Sequence, residues 1–173
     1  MIETRLATSS DAEAISALLT ANAGDRGGML LGQWPREVIA TRIASGQSIV
    51  IATGDEGRLL GALLTSEKGF GEAAPVQAML KAWPGGPGAY VYGPVCVSPD
   101  ARGLGVLDAL YARLQAIFPA REAILFIRED NPRSLKAHLR LGMREVARYD
   151  FGGKVFVVLS DGPAPNSPDP PGT

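Results

Sequence analysis

Residues 97–110, with the sequence VSPDARGLGVLDAL, have the pattern of a strand end, a turn with two glycines and a helix start. Backbone N–H groups at a helix N-terminus have no intrahelical acceptor, and the helix dipole makes that end partially positive. Gly103 and Gly105 permit unusual backbone angles and let an anion approach the main chain closely, and Arg102 adds a positive charge. The stretch therefore predicts a phosphate-binding turn, although Gly-x-Gly before a helix also occurs as a plain tight turn.

The helix that follows this turn is predicted over residues 103–118. Leu107, Leu110 and Leu114 recur at helical spacing and define one apolar stripe. On this interpretation Leu107 is the first core contact of the helix, so its side chain points away from any bound phosphate.

The remaining elements are predicted from hydrophobic periodicity, caps and breakers. A bulge is expected at Gly93-Pro94, because proline cannot donate to a β ladder. The order of elements predicts an α/β (α+β) fold, with a mixed sheet and helices on both faces. The predicted strands cover residues 2–8, 48–53, 58–66, 90–97, 123–130, 143–151 and 153–159, and the other helices residues 12–23, 35–44, 75–83 and 131–141.

The predicted domain organisation is one domain over residues 1–160 followed by a tail. Within the domain, residues 68–89 have the composition of an insertion with a short helix between glycine- and proline-rich hinges. Such insertions often shape a substrate pocket, although a solvated connector has the same composition. Residues 161–173 are proline-rich with few apolar groups, which predicts a disordered tail.

Composition excludes several classes of protein. A net charge of −1 over 173 residues gives no basic footprint for nucleic acid. No apolar run is long enough to span a bilayer, and the N-terminus lacks a secretory signal, so a cytoplasmic protein without membrane contact is expected. A single cysteine, Cys96, excludes an internal disulfide, and with only one histidine we expect no metal site.

Two motifs resemble those of the Gcn5-related N-acetyltransferase (GNAT) family. The segment Val97–Gly105 resembles the family's acetyl-CoA motif, a strand ending in V-x-P followed by R/Q-x-x-G-x-G/A at a helix start. A second segment resembles the family's N-x-x-[AS]-x-x-x-Y-x-x-x-G-F, through Asn131, Ser134, His138 and Gly142. The predicted order of elements over residues 2–159 is also similar to that of the family.

The resemblance implies a single-domain acyl-CoA N-acyltransferase fold, whose mostly antiparallel sheet has a splayed central strand pair. It also implies a transferase that moves an acetyl group from acetyl-CoA to a primary amine of a small molecule or protein by direct attack. The main chain of Val95 and Val97 would pair with pantetheine, and residues 102–107 would hold the pyrophosphate. The implied cofactor-binding residues are Val95, Cys96, Val97, Arg102, Gly103, Leu104, Gly105, Val106, Leu107, Asn131 and Ser134.

The sequence departs from the family pattern at two positions. Leu107 occupies the final Gly/Ala position; a second register avoids this but places Asp100 where Arg or Gln is usual, and an acid beside a pyrophosphate is repulsive. His138 stands where the family has tyrosine. One hypothesis is that His138 is the general acid that protonates the departing thiolate, and the alternative is a buried packing or capping residue.

Other interpretations and roles stay open. Asp108 follows the glycine pair where a dinucleotide-binding fingerprint needs a third glycine, which argues against an oxidoreductase. A non-catalytic acyl-CoA-binding or regulatory domain on the same fold is the alternative function.

No spacing selects a general base among Tyr90, Tyr92, Glu67 and Glu72. Asn131 also suits a helix N-cap, Cys96 is expected to be buried, and a homodimer is implied by resemblance only.

Overall fold

The computed structural model describes residues 1–163, and within them the chain forms seven strands and five α-helices. The predicted tail from residue 164 onward lies outside the described residues. In chain order the elements are β1 Glu3–Leu6, α1 Ala12–Ala21, α2 Arg36–Ala44, β2 Ile49–Thr53, β3 Leu59–Glu67, α3 Ala74–Ala82, β4 Tyr90–Val97, α4 Val106–Ile117, β5 Ala123–Arg128, α5 Pro132–Arg140, β6 Arg144–Phe151 and β7 Lys154–Ser160.

The described chain divides into two compact units, one of Met1–Glu72 with Tyr90–Ala120 and one of Ala73–Ala89 with the chain from Arg121 onward. Every predicted strand and helix is present, and most boundaries differ from prediction by one to three residues. The predicted α/β class is therefore confirmed, while the single domain expected over residues 1–160 stays a prediction.

The first unit contains an antiparallel sheet in the order β1-β2-β3-β4. Successive side chains of a strand point to opposite faces, so Ile49 and Ile51 of β2 join one buried cluster with Ile15 and Leu19 of α1. Helix α4 contacts β1, β2 and β3. Since Gly61 of β3 lies beneath α4, this unit carries helices on both faces of its sheet, as predicted.

Helix α4 packs closely on β3 because Gly61 has no side chain. A Cβ atom at Gly61 would lie 2.9 Å from Cγ1 of Val106 and 3.2 Å from Cδ1 of Leu110. The close approach fixes the first turn of α4 against the sheet. The predicted phosphate-binding end of the helix is therefore held by a rigid element.

The prediction that Leu107 is the first core contact of α4 is wrong. Val106 is 1% exposed and begins the buried stripe that continues through Leu110 and Leu114, whereas Leu107 is half-buried. The helix begins at Val106 because Gly105 has a φ of 81°, a left-handed conformation that cannot continue a right-handed helix. The buried stripe therefore starts at Val106, while Leu110 and Leu114 belong to it as predicted.

The second unit has an antiparallel sheet in the order β5-β7-β6. Helix α3 packs on β5 and β6, and the hydroxyl of Tyr149 donates to the carbonyl of Pro75 at 3.0 Å. The segment after α3 is held by Glu122, which accepts hydrogen bonds from Trp83, Gly86 and Ser160. The predicted insertion is thus tied to this sheet rather than left as a free loop.

Candidate active site

Strand β4 contains the predicted bulge. Leu63 of β3 pairs with Val95 and Thr65 pairs with Tyr92, so Gly93 and Pro94 together face one residue of β3. The Gly93-Pro94 peptide bond is cis, and Gly93 has a φ of 121°. The bulge divides β4 into an N-terminal part, Tyr90–Tyr92, and a C-terminal part, Val95–Val97.

The main chain of Val95 and Val97 points away from β3. The amide of Ser98 donates to the carbonyl of Leu60 in β3 at 2.8 Å. Hydrogen-bonding direction alternates along a strand, so Cys96 also faces β3, opposite Ala62. Val95 and Val97 therefore direct their N–H and C=O groups to the other edge of β4, which is the orientation that the family resemblance requires of them.

Cys96 lies in the core. Its side chain is 6% exposed, and its sulfur lies 3.9 Å from the carbonyl oxygen of Leu18 in α1. Burial raises the pKa of the thiol to about 11, which keeps it protonated near neutral pH. The expectation that Cys96 is buried is confirmed, and it offers the outer edge of β4 neither its side chain nor its main-chain polar groups.

The glycine turn presents amides to open space. Gly103 and Gly105 have φ values of 78° and 81°, and a Cβ atom at either would meet no atom within 4 Å. Within residues 1–163, the amides of Arg102, Gly103 and Gly105 have no hydrogen-bond acceptor. The first amides of α4 also lack intrahelical acceptors, and no side chain caps this end. The turn therefore has the open, donor-rich geometry of an anion cradle.

Arg102 is held beside this turn by Asn22. Nη2 of Arg102 donates to Oδ1 of Asn22 at 3.0 Å, and Nδ2 of Asn22 donates to the carbonyl of Leu18 at 2.9 Å. The guanidinium is exposed but fixed at the C-terminal end of α1. The sequence offers no signal for Asn22, because it lies 80 residues from Arg102.

Asp100, which precedes the glycines, is engaged by two neighbouring side chains. Its carboxylate accepts a hydrogen bond from the Ser98 hydroxyl and pairs with the guanidinium of Arg58. The Ser98 hydrogen bond, followed by that of Arg58, lowers the pKa of Asp100. The acidic group that would repel a phosphate is therefore paired with a cation.

The other predicted residues of the turn differ in exposure. Leu104 is 63% exposed, Val106 is buried and Leu107 is half-buried. The side chain of Val106 is part of the core, so only its main chain is available to a ligand. Leu104 presents an apolar side chain to solvent beside the open amides.

In the second unit, Asn131, Ser134 and His138 lie together along α5. Asn131 is the N-cap, and its Oδ1 accepts the amide of Ser134 at 3.3 Å, which confirms the predicted capping role. His138 is 2% exposed, with Nδ1 located 2.8 Å from the carbonyl oxygen of Ser134. A carbonyl only accepts, so Nδ1 carries the hydrogen.

The environment of His138 favours a neutral imidazole. Burial lowers its pKa, against a smaller opposing effect of the Ser134 hydrogen bond. In the neutral ring with hydrogen on Nδ1, the other nitrogen, Nε2, has no proton to donate. This geometry supports the packing alternative, and the general-acid role of His138 stays a prediction.

No general base is selected by the geometry. Tyr90 and Tyr92 are 2% and 3% exposed, and their rings pack beside Phe118 and Tyr111. The carboxylate of Glu72 accepts the amide of Gly69 and so closes a turn. These contacts give Tyr90, Tyr92 and Glu72 structural roles, and the geometry singles out none of the four candidates as the base.

The fold and the glycine turn define an α/β protein with an open, uncapped helix N-terminus after its fourth strand. The family model described as "Acetyltransferase (GNAT) family" matches residues 22–143, which include the turn and all of α5. The chain belongs to that family. No protein of curated function matches it.

Solved structures share the fold at low sequence identity. A GNAT-family acetyltransferase from Streptococcus agalactiae has a TM-score of 0.72 at 16% identity, covering 95% of this chain and 96% of that chain. One from Bacillus cereus has a TM-score of 0.68 at 17% identity, covering 92% and 96%. The protein yncA from Salmonella typhimurium, solved with its cofactor acetyl-CoA, has a TM-score of 0.65 at 17% identity, covering 96% and 98%. At these identities the likeness shows the fold alone.

Among the described residues, none of the helices combines the length and apolarity that crossing a bilayer demands. Between residues 1 and 163, no three His, Cys, Asp or Glu side chains come together as a metal-ion site. The cytoplasmic location and the homodimer stay predictions.

Proposed function

We propose that the protein is an acetyl-CoA-dependent N-acetyltransferase, which transfers an acetyl group to a primary amine of a small molecule or protein by direct attack. The observation that carries the proposal is the open glycine turn between β4 and α4. Among residues 1–163, the amides of Arg102, Gly103 and Gly105 have no acceptor, a Cβ atom at either glycine would meet no atom within 4 Å, and the turn lies at the positive end of a helix.

Acetyl-CoA fits the residues present. The amides of Arg102, Gly103 and Gly105 suit a diphosphate, and Arg102 adds a charge that Asn22 already holds in place. The outward main chain of Val95 and Val97 suits the amides of pantetheine. When bound, acetyl-CoA supplies an activated carbonyl group that an amine can attack.

The role of this chain in the reaction is to bind and orient the donor. The turn fixes the diphosphate end, and the bulge at Gly93-Pro94 ends the regular strand five residues before Ser98. Holding two reactants in a productive geometry is itself a large part of catalysis. Tyr90 and Tyr92 lie on the other side of the bulge. Of the four candidate general bases, they are the nearest to the bulge along the strand.

A non-catalytic acyl-CoA-binding protein is the second candidate function. It is favoured by the buried, neutral state of His138, the residue at the position of the family's tyrosine. On this interpretation the glycine turn binds the cofactor and no acetyl group is transferred.

Two measurements on the full chain separate these functions. Calorimetry with CoA tests binding, and release of free thiol from acetyl-CoA across a panel of amines tests transfer. We expect CoA binding together with thiol release that depends on an amine. Binding without release on a broad panel would establish the acyl-CoA-binding alternative, and no CoA binding would overturn both.

A further inference from the structure

The first unit contains a cavity of about 360 Å³ that the proposed cofactor site does not use. It lies between α2 and the loop that follows β3. Its walls combine one cation, one carboxylate and an aromatic ring, and the lining residues are Glu37, Val38, Thr41, Arg42, Phe70 and Gly71.

Arg42 is the unusual member of this wall. Its guanidinium lies over the rings of Trp34 and Phe70, 5.0 Å and 5.8 Å from their centroids. Nη1 is buried without a hydrogen-bond acceptor, and within residues 1–163 no carboxylate pairs with Arg42. A buried guanidinium N–H ordinarily has an acceptor, so Nη1 of Arg42 keeps a donor for an acceptor atom of a ligand.

The groups around Arg42 are fixed in place. Nε1 of Trp34 donates to the carbonyl of Leu31 at 2.8 Å, and the hydroxyl of Ser16 donates to the Trp34 carbonyl at 2.7 Å. The amide of Phe70 donates to the carbonyl of Glu67 at 3.1 Å. The guanidinium therefore lies against a Trp34 ring that is held by its own hydrogen bond and against a Phe70 ring whose main chain closes a turn.

The β3–β4 register places the cavity at the opposite end of β4 from the glycine turn. Glu67 pairs with Tyr90, the first residue of β4, and Phe70 follows three residues after Glu67. A strand rises about 3.3 Å per residue, so the length of β4 separates the turn from this end by roughly 20 Å. A donor bound at the turn and along Val95–Val97 leaves this end for the acceptor.

We propose that Arg42 binds the carboxylate of the acceptor, so that the acceptor is an amine carrying a single carboxylate, such as an apolar α-amino acid. This inference rests on the proposed function. The planar guanidinium matches a carboxylate, and the nearby Glu37 disfavours a doubly charged ligand such as a phosphate. Val38 and Phe70 supply an apolar wall for the rest of the acceptor.

The kinetic test compares α-amino acids with their amides, for example L-leucine with L-leucinamide. The ratio of kcat/KM for acid and amide is measured in the wild type, Arg42→Met and Arg36→Met. Arg36 is the matched control because it is exposed on the same helix. We expect the ratio to fall about tenfold or more in Arg42→Met only, since the intrinsic basicity of the two amines cancels in this comparison.

A second test does not depend on turnover. The chain has two tryptophans, so Trp83→Phe leaves Trp34, whose ring contacts Arg42, as the fluorescent reporter. We expect N-acetyl-L-leucine to change this fluorescence and N-acetyl-L-leucinamide to leave it unchanged. Arg42→Met should abolish the response, and Arg42→Lys, which keeps the charge, should retain part of it.

The outcomes separate this inference from the proposed function. A fluorescence response to the carboxylate ligand but not to its amide, without acetyl transfer to any amine, would contradict the proposed function. It would still support carboxylate binding at Arg42. Turnover of amines with the same acid-to-amide ratio in wild type and Arg42→Met, and no fluorescence response, would overturn the inference alone. Circular dichroism of both Arg42 variants checks that each one is folded.

Discussion

Nη2 of Arg102 and Oδ1 of Asn22 are joined by a 3.0 Å hydrogen bond between residues 80 positions apart. Asn22 is the C-cap of α1, where the helix dipole is negative, and it is itself held by the Leu18 carbonyl. Arg102 thus lies beside the N-terminus of α4, but the residue that orients its guanidinium belongs to α1. A preorganised charge loses less entropy when it binds an anion.

Removing this anchor is expected to weaken CoA binding. Arg102→Gln should raise the Kd for CoA about tenfold, because a charged hydrogen bond to the diphosphate is lost. Asn22→Ala should raise it about threefold by freeing the guanidinium. In the double variant the loss should equal that of Arg102→Gln alone, as measured by calorimetry.

Gln115→Ala is the control for this series, since Gln115 is exposed on α4 away from the turn. It should leave the Kd unchanged. Fully additive losses in the double variant would show that Asn22 does not act through Arg102.

Gly105→Glu is expected to abolish CoA binding while the fold survives. The new side chain would enter the open space in front of the cradle and bring a negative charge to it. Its left-handed backbone adds a strain of about 1 kcal/mol. Calorimetry with CoA measures the loss, and thermal unfolding measures the strain.

Gly153→Glu distinguishes the effect of left-handed backbone strain from the effect of filling the space in front of the glycine turn. Gly153 has a φ of 75° and an equally open Cβ direction, and it lies in the turn between β6 and β7. This variant should have a similar cost in stability and normal CoA affinity. Equal CoA affinity in the two variants would refute the assignment of the glycine turn.

His138 is expected to make the free energy of unfolding depend on pH. Burial holds its pKa below the unfolded value of about 6.5, so the unfolded chain binds more protons below that pH. The stability conferred by the neutral ring is present above about pH 6.5 and is lost as pH falls toward the lower folded-state pKa. Urea unfolding at about pH 7.5 and about pH 5.5 should show a smaller decrease for His138→Phe than for the wild type.

The same variant tests the two roles of His138. A packing role predicts a loss of stability with kcat reduced less than about tenfold, since no proton transfer is removed. A loss of kcat above about a hundredfold, in a folded variant with normal CoA affinity, would establish the general-acid role. His138→Asn, whose amide can still donate toward the Ser134 carbonyl, should recover part of the stability.

Glu122 is expected to hold the segment after α3 in the second unit. It accepts from Nε1 of Trp83 at 2.9 Å, the amide of Gly86 at 2.7 Å and the hydroxyl of Ser160 at 2.6 Å. Glu122→Ala should lower the free energy of unfolding by about 2 kcal/mol, because three donors lose their acceptor. Limited proteolysis should then cut within residues 83–89.

The control for Glu122→Ala is the exposed ion pair of Glu129 with Arg148, in which Oε1 of Glu129 lies 2.6 Å from Nη1 of Arg148. Glu129→Ala should destabilise the protein much less than Glu122→Ala does, since an exposed pair is screened by water. If both alanine variants cost the same, Glu122 does not anchor the segment.

Several features of the site were predictable because they depend on neighbouring residues. The bulge in β4 follows from a proline that lacks an N–H, and the N-cap of α5 follows from the side chain of Asn131. The buried position of Cys96 follows from the alternation of side chains along a strand. Each of these effects acts over four residues or fewer.

Other features could not be predicted in the same way. The identity of the first core residue of α4 depends on where the helix starts, and a shift of a few residues exchanged Leu107 for Val106. The partners of Arg102 and Arg42 come from segments that are distant in sequence. No local pattern records which segments the fold brings together.

The sequence by itself determined the order of elements and the glycine turn, and through them the resemblance to the GNAT family. Glycine, proline and capping residues act on the backbone at their own positions, so their effect is visible in the chain. The tertiary structure alone decided that Arg102 is held by Asn22, that half-buried Arg42 lies against Trp34 and Phe70, and that His138 is enclosed. Sheet register and helix packing create these environments, because they set which distant side chains meet and how much water remains around them.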